Sequence, residues 1–134
     1  MPFKLGTLIE GASCTIAIDR VGDGVILVRI EGHDVGEFGD TPLRCIAALV
    51  PDGRGATLFI DARRAQGATV DVSGAWARWL GANRDLLGEV HMLTSSRLVA
   101  VSAEFVRRFA GLDGRMRLYT DAAEFEQRLV RASV

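Results

Sequence analysis

Several things are scarce in this chain of 134 residues, and each shortage removes a class of protein. There are two cysteines, Cys14 and Cys45, far apart and without Cys-x-x-Cys spacing. That excludes a disulfide-built scaffold and predicts two free, semi-buried thiols in a reducing compartment. Excess charge of one sign is missing too: 16 Lys and Arg stand against 17 Asp and Glu. No basic surface advertises nucleic acid or an anionic membrane, and the pairs Arg63-Arg64 and Arg107-Arg108 read as solvated charges. No apolar run approaches the roughly 20 residues that span a bilayer. The stretch from Met1 to Glu10 lacks the apolar core and cleavage pattern of a secretory leader. A cytoplasmic protein without membrane association is expected.

Reactive signatures are also lacking. The two histidines, His33 and His91, do not have metal-ligand spacing, and each reads as a structural residue. There is no GxSxG elbow and no Walker loop, and Gly32, Gly36 and Gly39 do not follow the dinucleotide spacing. No metal and no organic cofactor are expected.

What is present is a periodic α/β pattern: 49% of residues are hydrophobic and 25% charged, ordinary for one globular domain over 1–134 with a self-sufficient core. Cys14 to Asp19 alternate, Val25 to Ile30 form a second β-rich run, and Gly22-Asp23-Gly24 between them predicts a hairpin turn. Thr41-Pro42 then opens a helix with Leu43, Ile46, Ala47 and Val50 on one stripe, ended by Pro51-Asp52-Gly53. Ala56 to Asp61 suits a strand covered on both faces. Ala62 to Val72 reads as a loop, and Ser73 as the cap of a helix carrying Trp76, Trp79, Leu80 and Leu87, with Gly88 at its end. Val90 to Leu93 is a strand. Ser95 or Ser96 caps a third helix whose apolar stripe is Leu98, Val101, Phe105 and Phe109. Met116 to Tyr119 is the last strand, and Asp121 caps a final helix, with Glu124 as capping-box partner and Phe125 and Leu129 facing inward. The expected architecture is α/β: an opening β-hairpin, then repeated α-β units in a mostly parallel five-stranded sheet with about four helices.

This succession resembles the STAS, or SpoIIAA-like, superfamily of sulfate-transporter and anti-sigma factor antagonist domains. The segments Thr57-Leu-Phe-Ile-Asp61, Trp76-Ala-Arg-Trp79-Leu80, Leu93-Thr-Ser-Ser-Arg97 and Met116-Arg-Leu-Tyr-Thr-Asp121 are similar to those of its uncharacterised bacterial branch. In anti-sigma factor antagonists an Asp-Ser-Ser-Gly motif opens the helix after the third strand, and its second serine is phosphorylated. The matching place here reads Asp71-Val72-Ser73-Gly74, with Val72 in place of the first serine. The resemblance thus implies a phosphorylation switch at Ser73. A phosphate at a helix start meets free N–H groups and the positive end of the dipole.

A second candidate site follows from topology, because ligands of open parallel sheets bind beyond the carboxyl ends of the strands. Those ends present Asp61 with Arg63, and Ser95, Ser96 and Arg97, which either hold an anion or serve as caps. Three functions follow. The leading one is a non-catalytic regulatory module that binds a protein partner or pairs with itself. The second is a small apolar ligand, lipid-like by analogy with CRAL-TRIO proteins and motivated by Trp76, Trp79, Phe105 and Phe109, which equally fit core packing. The third is an enzyme using the strand-end rim, without a base–nucleophile pair that would name its reaction.

Overall fold

A computed structural model describes residues 6–51 and 55–134; Asp52 and Gly53 of the expected turn, and Met1 to Leu5, lie outside the described residues. The hairpin forms where alternation and turn chemistry demand it. Strand β2 (Cys14–Gly22) pairs antiparallel with β3 (Val25–Asp34), and Gly24 takes φ +70° in the turn, a conformation that costs a glycine little. Ahead of them, β1 (Gly6–Glu10) pairs antiparallel with β2. Its residues are almost all exposed, so it contributes backbone pairing rather than core, and no burial rhythm marks it.

The chain continues through α1 (Thr41–Leu49), β4 (Ala56–Ala68), α2 (Val70–Ala82), β5 (Leu87–Thr94), α3 (Arg97–Phe109), β6 (Met116–Tyr119) and α4 (Ala122–Ser133). The six strands lie in sequence order, with β3–β4, β4–β5 and β5–β6 parallel. The expected five-stranded, mostly parallel sheet is therefore corrected to a six-stranded mixed one, while the four helices stand.

Strands in sequence order with crossovers of one hand put every connecting helix on the same face. Leu43 and Ile46 of α1, Ala77 and Leu80 of α2, and Val99 and Val106 of α3 all join the core over Ile16, Ile26, Val28, Leu58, Ile60 and Val90. Helix α4 follows the last strand and covers the opposite face, where Phe125 packs with Val25, Leu27, Phe59, Leu93 and Tyr119. Strand alternation divides the two cores: Ile26, Val28, Leu58 and Ile60 point one way, Val25, Leu27 and Phe59 the other.

The largest departure is β4. The stretch read as a loop after Asp61 is strand as far as Ala68, paired parallel with β3 through Asp34↔Ala68. Ala, Arg, Gln and Gly have weak strand preference, and pairing with a long neighbour overrides it. The register slips between Arg29 and Glu31 and between Gly32 and His33. These bulges keep Ala62 and Ala65 buried although they lie three residues apart. Strand and helix together take up the expected loop, so that β4 ends at Ala68 and α2 already begins at Val70. Thr69, not Ser73, is its N-cap, accepting a hydrogen bond from Val72 N–H at 3.3 Å. The helix stops at Ala82, so Leu87 and Gly88, placed at its end by sequence, belong to β5. Likewise Thr41 and Pro42 are the first helical residues of α1, and Asp40 occupies the cap position without a side-chain hydrogen bond.

Candidate functional site

The expected strand-end rim is only partly assembled. With β4 extended, Asp61 and Arg63 lie in mid-strand, and Asp61 pairs with Leu93 of β5. Asp61 Oδ1 accepts from the Arg63 N–H at 3.2 Å and from Arg63 Nε at 3.0 Å, while Arg63 Nη2 donates to Glu126 of α4 at 2.8 Å. These bonds hold the guanidinium pKa above its ordinary value. Ser95 joins them by donating its hydroxyl to the Arg63 carbonyl. Ser96 is the N-cap of α3, accepting from Val99 N–H at 3.4 Å, and Arg97 is exposed at the first helical position. The structure thus brings Asp61, Arg63 and Ser95 together, but their polar groups satisfy one another and tie β4 to the β5–α3 turn and to α4. Ser96 is taken up by the cap, and Arg97 stands exposed.

Ser73 lies one turn inside α2, half-buried, and its N–H already donates to the Thr69 carbonyl at 3.0 Å. It lines an apolar cavity between the β4 end of the sheet and helices α2 and α3, with Trp76, Met92, Val99 and Ser102 also on its wall. The cavity offers about 80 Å³, against the 300–1,000 Å³ typical of ligand pockets. Trp76 and Trp79 are half-buried and pack against the core.

On the α4 face, His91 is buried and stacked on Phe59 at 4.5 Å between ring centroids. Its Nε2 is 2.8 Å from Glu89 Oε1 and its Nδ1 is 2.7 Å from the Tyr119 hydroxyl. A carboxylate only accepts, so Nε2 carries the proton and Nδ1 accepts from the phenol. Burial lowers the His91 pKa, opposed by the Glu89 carboxylate, and burial raises that of Tyr119. The hydrogen bond from His91 in turn lowers the pKa of Glu89. His91 is therefore a satisfied strand residue, as its position in a strand run implied. Both cysteines are free. Cys14 is buried, and desolvation, aided by Asp34 and Glu37, pushes its thiol up to about 11, leaving little nucleophilic thiolate. Among the described residues no cluster of His, Cys, Asp and Glu could hold a metal ion, and no helix is long and apolar enough to cross a membrane.

The feature that sequence reasoning placed on the wrong side is α3. Leu98, Val101, Phe105 and Phe109 were expected to face inward. They are instead 62%, 63%, 45% and 65% exposed, while Val99, Ala103, Val106 and Ala110 are buried. Both sets repeat at helical spacing, so periodicity alone cannot rank them. Close packing decides. A side chain on Gly81 of α2 would stand 3.4 Å from the Ala110 backbone, so α2 and α3 meet through their small residues. The bulky set is left outside, where the rings of Phe105 and Phe109 touch each other at 5.4 Å between centroids. The available signal was a helix apolar on two faces, one more than a helix lying on a sheet buries.

Strand order, three crossover helices on one face and α4 on the other make a mixed α/β domain, and its likeness to solved structures gives it a SpoIIAA-like fold. The chain is similar to an uncharacterised protein of the DUF3478 family with a SpoIIAA-like fold from Shewanella loihica PV-4. The TM-score is 0.60 and the identity 15%, over 90% of this chain and 98% of that one. It is also similar to an anti-sigma factor antagonist from Mycobacterium paratuberculosis, with a TM-score of 0.57 and 20% identity over 88% and 95% of the two chains. At these identities the likeness establishes the fold. No protein-family model matches the sequence, and no curated protein matches it.

Proposed function

We propose that this chain is a non-catalytic interaction module that works by docking another protein on helix α3. One observation carries the proposal: four large apolar side chains, Leu98, Val101, Phe105 and Phe109, form a continuous exposed stripe on a helix whose opposite side is fully packed. Isolated surface hydrophobics need no explanation, but a contiguous row does. Leaving each half-exposed forgoes on the order of 1 kcal/mol of burial, which a partner recovers. The likeness to an anti-sigma factor antagonist, a protein named for acting against another protein, supports the same reading.

Rival readings have less behind them. Asp61, Arg63 and Ser95 of the rim satisfy one another, and the cavity is small for a lipid-like ligand. A phosphate on Ser73 would sit where the nearest helix N–H groups are already bonded, since Thr69 holds the cap. The test uses the tagged chain in its own host, as wild type and as Phe105→Ser. The expected result is a stoichiometric partner, identified by mass spectrometry and rebuilt from pure components, that is lost from the variant. Turnover of a metabolite or ester by the pure protein, abolished by Asp61→Ala or Arg97→Ala, would instead make it an enzyme.

A further inference from the structure

The charges around the stripe specify what it binds. Helices α2 and α3 carry four arginines, Arg78, Arg97, Arg107 and Arg108, against two carboxylates, Asp71 and Glu104. Glu104 is bonded to Arg107. Arg78, Arg97 and Arg108 are exposed, and among the described residues none of them has a carboxylate partner. Several arginines elsewhere are matched, Arg63 with Asp61 and Glu126, Arg64 with Glu31, and Arg117 with Glu124, while among the described residues Arg84, Arg115 and Arg131 also lack a carboxylate partner. Arg97, Glu104 and Arg108 follow one another at seven and four residues, so they line one flank of the stripe, with its ends cationic. Arg78 lies on the exposed side of α2, the helix packed alongside.

We infer that the occupant of the stripe is an amphipathic helix of another protein, apolar at i, i+3, i+4 and i+7 and edged with Asp or Glu. This rests on the docking role proposed above and adds the chemistry of the partner. The row, spaced by three, four and four residues along α3, can pack lengthwise against a second helix, with apolar side chains inside and charges at the rim. A second copy fits poorly. Two α3 helices laid antiparallel, so that Val101 meets Phe105, bring Arg97 of one copy to the Arg108 end of the other, like charge against like. An anionic membrane would also attract arginines, but Glu104 lies within the same flank and the chain as a whole carries a net charge of −1.

The test uses the full chain as bait for a displayed random-peptide library long enough for several helical turns. Enriched peptides are titrated by fluorescence anisotropy against wild type, Phe105→Ser, Leu98→Ser and the double variant Arg97→Glu/Arg108→Glu, each checked by circular dichroism. Enriched peptides should show helical apolar spacing edged with acids. Their binding should be lost with either serine variant, weaken at least about ten-fold on charge reversal, and recover when the peptide acids become lysine. Peptides that need Phe105 and Leu98 but show no acidic excess and ignore charge reversal overturn the acid-edged helix while the docking role stands. Absence of any peptide that depends on the stripe overturns both. Sedimentation with phosphatidylserine vesicles that Arg97→Glu/Arg108→Glu abolishes, or a dimer that Phe105→Ser dissociates, overturns the inference by placing a membrane or a second copy there.

Discussion

At the scale of single residues, the informative groups are titratable ones used for packing. His91 is held neutral by burial against Phe59 and Tyr119, its Nε2–H on Glu89 and its Nδ1 on the Tyr119 hydroxyl. Its folded pKa lies below the ordinary value of 6.5. Between those two values the unfolded chain binds the proton and the native one does not, so stability falls as pH drops below 6.5 and levels off once the native imidazole is also protonated. Urea titrations of wild type from pH 8 to 5 should show that decline, and His91→Gln should flatten it; an equal slope in both would assign the pH dependence to other groups. Cys14 offers a second check. With its thiol at about 11, native protein at pH 8 should resist alkylation there while Cys45, half-buried on α1, takes label, and denaturation should expose both. Mass spectrometry of the labelled peptides distinguishes the two, and fast labelling of Cys14 in the native state would contradict its burial.

At the scale of elements, α3 shows how an amphipathic pattern can be read correctly in period and wrongly in phase. Ala103 faces the core at 2% exposure, where there is no room for a longer side chain, so Ala103→Leu should cost about 1–3 kcal/mol by overpacking. Phe105→Ser, on the outer row, should change stability by no more than about 0.5 kcal/mol. Denaturant midpoints for the two variants check the assignment, and the reverse ranking would restore the aromatic row to the core. The other elements divide along the same line. Two helix caps were legible because their chemistry is local: Ser96 accepts from Val99, and Asp121 accepts from Ala123 and Glu124, whereas Thr69 rather than Ser73 caps α2 and Asp40 rather than Thr41 holds the cap position of α1. Glu124 itself turns away to bond Arg117 rather than closing a capping box. Met116 to Tyr119 was legible because its neighbours bury it. The second half of β4 was not, since only its pairing with β3 makes Ala62 to Ala68 a strand. That error carried into the candidate sites, moving Asp61 and Arg63 off the strand end and Ser73 off the helix start.

At the scale of the molecule, the two faces of the sheet are unequal. One is covered by three helices that the chain must cross to reach the next strand, so each is anchored at both ends. Among the described residues the other is covered by α4, which follows β6 through Thr120 and Asp121 and is held by Phe125, Leu129 and Ala132. Edge-to-face contacts of the fully buried Phe125 with Phe59 at 5.6 Å and Tyr119 at 5.6 Å centre that contact. Its surface is supplemented by ion pairs from Glu126 to Arg63 and from Arg128 to Glu89, which contribute little individually in water. A helix that rests on one large side chain has few restraints against opening by itself. Native-state hydrogen exchange should therefore find α4 amides less protected than those of β4. Phe125→Ala should cost about 3–5 kcal/mol, further loosen α4 and increase binding of an apolar dye as Phe59, His91 and Tyr119 are uncovered. If α4 and β4 exchange with equal free energies in both proteins, the final helix is part of the same cooperative unit as the sheet, and the second core is as strongly closed as the first.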